Sequence, residues 1–177
     1  MLSNAFKTWI APRARALLVI WGAILVAPVM YVGIAWFLFG RTDHFQAAEN
    51  PGLPWSQIGM GLLLVLVLGA GYFQRWALGG ERLRAILATV PVPAAGKDRD
   101  LFKKLSPAEQ SLTGLWQHYQ TTMIVVWAIL ESMAVVGLVL AILQRDFRVV
   151  IPFSVAAVVL LILKRPQPGK FFAGIKP

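Results

Sequence analysis

The chain contains no cysteine. Disulfides, thiolate metal sites and lipoprotein-type acylation are therefore excluded. Charge is also scarce. Asp, Glu, Lys and Arg together make up 14% of the 177 residues, where soluble domains carry about a quarter. There are two histidines, His44 and His118, and neither lies within a long apolar run, which leaves haem or quinone without a ligand there. No phosphate-cradling glycine loop, dinucleotide fingerprint or nucleophile with a base in range is present. The expectation is a protein without cofactors that is not an enzyme.

Apolar sequence is abundant. Hydrophobic residues make up 58% of the chain, and mean hydropathy is +0.66. They concentrate in four blocks, 16–39, 57–73, 122–143 and 147–163. A helix needs about 20 residues to cross roughly 30 Å of hydrocarbon. The second and fourth blocks are slightly short, a mismatch that local thinning or snorkelling of Lys164 and Arg165 can absorb. The first block runs 24 residues, longer than the about 7–15 of a secretory signal core, and reads as a retained span. Trp36, Phe37, Trp55, Tyr72, Trp76, Trp116 and Tyr119 fall near the expected headgroup levels.

Basic residues set the orientation. Of 17 Lys and Arg, 14 lie in the N-terminal segment, the 74–121 loop and the C-terminal tail, whereas Arg41, Arg145 and Arg148 lie on the other side. This bias places both termini and the central loop in the cytoplasm of a bacterial-type inner membrane. The formal charge of +9 would suggest nucleic acid in a soluble protein. Here the cations flank apolar spans, so the expected partners are membrane lipids, and no nucleic acid is expected.

The predicted fold is all-α and polytopic. It has four transmembrane helices in two hairpins within one membrane domain over residues 1–177. Leu2, Phe6, Trp9 and Ile10 share a helical face, which predicts a short interfacial helix before the first span. Ser106-Pro107-Ala108-Glu109 is a capping box with proline at the first helical position, and a helix starting there can run unbroken into the third span. Residues 90–96, with Pro91 and Pro93, are expected to be irregular.

Glu131 stands out chemically. It is the tenth residue of the third span, about 14 Å from its start. A charge at such depth costs about 2.5–3.5 kcal/mol on insertion scales, so the neutral acid is the low-cost form and such a residue is a functional candidate. It is the ion-binding candidate of the chain, and a purely structural hydrogen bond to a neighbouring helix is the other reading. Pro28 removes a donor from the first span and leaves the Ile24 carbonyl without its helical partner. Ile24 falls about 12 Å from the cytoplasmic end, nearly level with Glu131, so the expected bond runs from protonated Glu131 to that carbonyl. Ser132 is expected to bond its own helix. Gly59, Gly61, Gly69 and Gly71 in the second span, with Gly137 in the third, mark faces for close packing or oligomer contacts. Asp43, His44 and Glu49 read as a solvated loop, and no metal site is expected.

A shift of 105 residues lays Ala23-Ile24-Leu25 on Ala128-Ile129-Leu130, suggesting a duplicated hairpin whose second copy alone holds the carboxyl. The run from Ala128 to Val139, with Glu131 after small and aliphatic residues, resembles the carboxyl-bearing helix of the rotor-ring c subunit (proteolipid) of rotary ATP synthases. The glycines of the second span resemble that family's glycine-rich partner helix. The resemblance implies a homo-oligomeric, lipid-filled ring in which Glu131 matches the ion-carrying carboxylate. Three functions are thus open on the sequence: a self-associating membrane scaffold, a proton- or cation-translocating subunit using Glu131, and an accessory subunit of a larger membrane complex.

Overall fold

In a computed structural model the described residues are 3–40, 55–88 and 102–173. The expected irregular stretch at 90–96 and the group Asp43, His44 and Glu49 lie outside them. Among the described residues the regular structure is helical throughout. The order is α1 (Asn4–Phe39), α2 (Trp55–Ala77), α3 (Gly80–Ala88), α4 (Pro107–Gln144), a 3-10 turn (Phe147–Val149) leading into α5 (Val150–Leu163), and α6 (Pro168–Ala173). Three helices, Asn4–Phe39, Gln57–Ala77 and Pro107–Gln144, are long and apolar enough to cross a membrane, and Phe147–Leu163 is a shorter apolar helix.

The outer surface explains how these helices are solvated. Val26, Met30 and Phe37 on α1, Leu64, Val65 and Leu68 on α2, Val139 and Leu143 on α4, and Val155 and Val159 on α5 are all exposed. Water would penalise so much contiguous apolar surface, whereas hydrocarbon does not. The chain is a membrane protein.

The capping box forms. Glu109 N–H donates to Ser106 Oγ at 3.3 Å, and Ser106 N–H donates back to Glu109 Oε2 at 3.1 Å. From there α4 runs 38 residues without a break. The separate N-terminal interfacial helix does not form. Phe6, Trp9 and Ile10 lie in the first turns of α1, which continues through Pro12, and Leu2 lies outside the described residues. Phe6, Trp9 and Leu17 are buried along this part of the helix, and that packing outweighs the one hydrogen bond Pro12 removes.

The residues cluster in two compact units. The first comprises Met1–Ile20, Gln74–Ile124 and Pro166–Pro177. Its centre is aromatic: Trp116 stacks on Phe172 (centroids 5.8 Å), Tyr119 on Phe171 (4.3 Å), and Phe6 on Trp9 (6.0 Å). Two helix N-termini meet at one carboxylate here. Glu109 Oε1 accepts from Ser3 N–H at 2.8 Å where α1 begins, and Oε2 accepts from Ser106 where α4 begins. Orphan amides and the positive ends of two helix dipoles thus share one anion. The bonds from Ser3, with those from Ser106 behind them, hold the Glu109 carboxyl down at about 2. The contribution is therefore present above the ordinary value of 4.5 and is lost as pH falls from there through about 2. Glu109→Gln is expected to cost about 1 kcal/mol, allowing for solvent screening at this exposed site. Thermal unfolding of the two proteins across pH checks this: the difference should hold above 4.5 and vanish towards 2, and a difference that persists at the acid end would refute it.

The second unit comprises Trp21–Phe73 and Val125–Arg165. Ala35, Ala141 and Val150 form a small core, with Tyr31, Val32, Leu138 and Phe147 around it. The turn from α4 to α5 is tight: Asp146 N–H bonds the Ala141 carbonyl at 3.1 Å, and Arg145 adopts φ 52°. That pattern is a Schellman end with arginine where glycine is usual. At its far end α5 is tied down by two indoles. Trp21 Nε1 donates to the Leu161 carbonyl (2.9 Å) and Trp127 Nε1 to the Lys164 carbonyl (3.0 Å), satisfying carbonyls the helix leaves open.

Candidate functional site

The site lies in the second unit, between α1 and α4. Leu17, Trp21, Ile24, Pro28, Tyr31 and Ala35 recur at three- and four-residue steps and form the inward stripe of α1. Pro28 and Ala35 are buried, and Tyr31 is half-buried between them. On α4 the buried stripe includes Trp127, Leu130, Met133 and Ala134, while Ala128 and Val135 are exposed. Glu131 sits at the edge between these two faces and is half-buried.

The Tyr31 hydroxyl donates to Glu131 Oε1. This differs from the bond expected to the Ile24 carbonyl in two respects. Glu131 accepts instead of donating, and its partner lies seven residues further along α1, about 10.5 Å of helix. The reason lies in where the helices start. α1 and α4 both begin well before their apolar blocks, at Asn4 and Pro107, so residues 16 and 122 do not mark a common level and depth counted from them does not identify the partner. Tyr31 was legible as a candidate, since it is the one tyrosine within 16–39. The signal is weak because a phenol within an apolar run reads as one more aromatic.

Ser132 Oγ donates to the Ile129 carbonyl of its own helix at 2.7 Å. The glycines separate into two groups. A Cβ on Gly137 would stand 2.6 Å from Phe153 Cβ, and one on Gly59 would stand 2.9 Å from Phe153 Cζ and 2.7 Å from Leu140 Cδ1. Phe153 is therefore wedged between α2 and α4, with its Cβ against Gly137 and its ring tip against Gly59. Gly61, Gly69 and Gly71 have nothing within 4 Å of a built Cβ.

Chemically, the pair offers a carboxyl with one oxygen engaged by a phenol, at the border of an apolar exposed surface. Such a group can hold a proton or complete a hydrogen bond to a further helix. No group of three or more His, Cys, Asp or Glu side chains able to hold a metal occurs among the described residues. His118 Nε2 instead lies 2.8 Å from the Ala77 carbonyl, at the end of α2. Compared with protein-family models, with curated proteins and with solved structures, the chain matches none.

Proposed function

We propose that the chain is a non-enzymatic, four-span protein of a bacterial-type inner membrane, with both termini cytoplasmic, that self-associates through α2 into a homo-oligomer. The observation that carries this reading is the open glycine face. Gly61, Val65, Leu68, Gly69 and Tyr72 share one side of α2, the glycines meet no neighbour, and the larger side chains are exposed. In a bilayer, where lipid is as apolar as leucine, helices associate where small residues let backbones approach closely. Lipid alone requires no such notches. The most apolar stretch of α2 is 11% buried, whereas that of α4 is 44% buried, so α4 is the internal element and α2 an outer one.

Detergent-corrected mass of the purified chain tests the reading. A discrete multiple of 19.5 kDa is expected, with Gly61→Leu and Gly69→Leu shifting the protein to monomer. A wild-type monomer would sink the proposal and favour an accessory subunit of a larger complex. A second reading, proton or cation exchange at Glu131, is favoured by the single-sided hydrogen bond from Tyr31.

A further inference from the structure

The three arginines around the junction of α2 and α3 point to a ligand of their own. Arg75 lies in the last turn of α2, at the end of an apolar helix, where headgroups meet a span. Arg82 folds back so that its guanidinium lies 3.3 Å from the centroid of the Trp76 ring, and Trp76 is itself 47% exposed. On α3, Leu83, Ile86 and Leu87 span about 100° of the helix surface. These three are half-buried, while Arg82 and Arg84 flank them on either side and are exposed. Glu81 points away on the opposite face. His118 Nε2 lies 2.8 Å from the last carbonyl of α2, and α3 opens with the bond from Leu83 N–H to the Gly79 carbonyl at 3.1 Å.

A flexible charged loop would be solvated in every direction. Here the cations project from helical positions beside an exposed indole, and one of them already stacks on it. Charge is distributed to match. The first unit's stretches hold twelve of the 17 Lys and Arg but four of the eight Asp and Glu.

We propose that Arg75, Arg82 and Arg84, with Trp76 beneath Arg82, form a surface that binds the phosphates of anionic phospholipids in the cytoplasmic leaflet. Guanidinium groups suit this ligand because they pair with phosphate oxygens in a planar, two-pronged geometry. The site rests on the bilayer embedding of α2 and is independent of self-association.

The test uses the full chain in phosphatidylcholine vesicles containing trace spin-labelled phosphatidylglycerol or spin-labelled phosphatidylcholine. A motionally restricted component for either label reports embedding. Wild type is expected to favour the anionic label at low salt, by about fivefold for each engaged arginine. The triple variant Arg75→Gln, Arg82→Gln, Arg84→Gln should lose that preference, while Arg145→Gln with Arg148→Gln should keep it. Addition of inorganic phosphate at matched ionic strength should leave the preference unchanged, since the ligand is a lipid. Equal association of both labels with wild type, or an unchanged preference in the triple variant, overturns the site. Absence of any restricted component overturns embedding instead.

Discussion

Gly137→Ala is expected to destabilise the protein by about 2 kcal/mol, because overpacking a filled contact costs about 1–3 kcal/mol. The new Cβ would lie 2.6 Å from Phe153 Cβ and 3.0 Å from its Cγ. Neither atom can swing away as the tip of a side chain can, so α4 and α5 must separate. In thermal unfolding this corresponds to a fall of roughly 4–8 °C for a chain of this size. Gly59→Ala meets Leu140 Cδ1 and Phe153 Cζ, the outer ends of their side chains, and is expected to cost less. Gly61→Ala meets nothing within 4 Å and removes a helix-weakening residue, worth up to about 1 kcal/mol in its favour. The expected order of stability is therefore Gly61→Ala, then Gly59→Ala, then Gly137→Ala. A Gly137→Ala protein that melts with the wild type would show that Phe153 is not wedged where α4 and α5 cross.

Glu131 is expected to react with a hydrophobic carbodiimide in the membrane, with Glu131→Gln leaving the chain unlabelled. Carbodiimides attack the protonated carboxyl, so raised pH should suppress the reaction, and sodium should suppress it if a cation competes for the site. Tyr31→Phe removes the hydroxyl that bonds Oε1 without removing the ring. It is expected to cost about 0.6 kcal/mol, the average for hydrogen bonds between membrane helices, and at most about 1.7 kcal/mol, and to speed the labelling by uncovering the carboxyl. Proton flux through reconstituted vesicles separates the two roles of the pair. If Glu131 exchanges ions, Glu131→Gln abolishes the flux. Stability loss in Tyr31→Phe, with no labelling and no change of flux in Glu131→Gln, would reduce the pair to a structural link between α1 and α4.

Much of the architecture could be read from the residues alone, and the exceptions share a cause. The α4 start at Pro107 followed from four consecutive residues, because a capping box is a local agreement between side chain and backbone. The continuity of α1 did not follow. Pro12 and the cluster of Arg13 and Arg15 look like a boundary, yet Phe6, Trp9 and Leu17 find partners that keep the helix whole. Similarly, Ser3 carries no sign that it will bond a carboxylate 106 residues away.

Hydrophobic length, helical period and local capping belong to the chain as a line, and with them its sequence determined the apolar helices, approximately where they end, the presence of a lone carboxyl among them and the self-bonding of Ser132. Tertiary structure decided which groups meet: Tyr31 and not the Ile24 carbonyl at Glu131, Phe153 between Gly59 and Gly137, Ser3 at Glu109. Apolar helices slide past one another with little change in buried area, so composition leaves their register open. Only the few sites where a glycine, a phenol or a cap must fit its partner select one register from the rest.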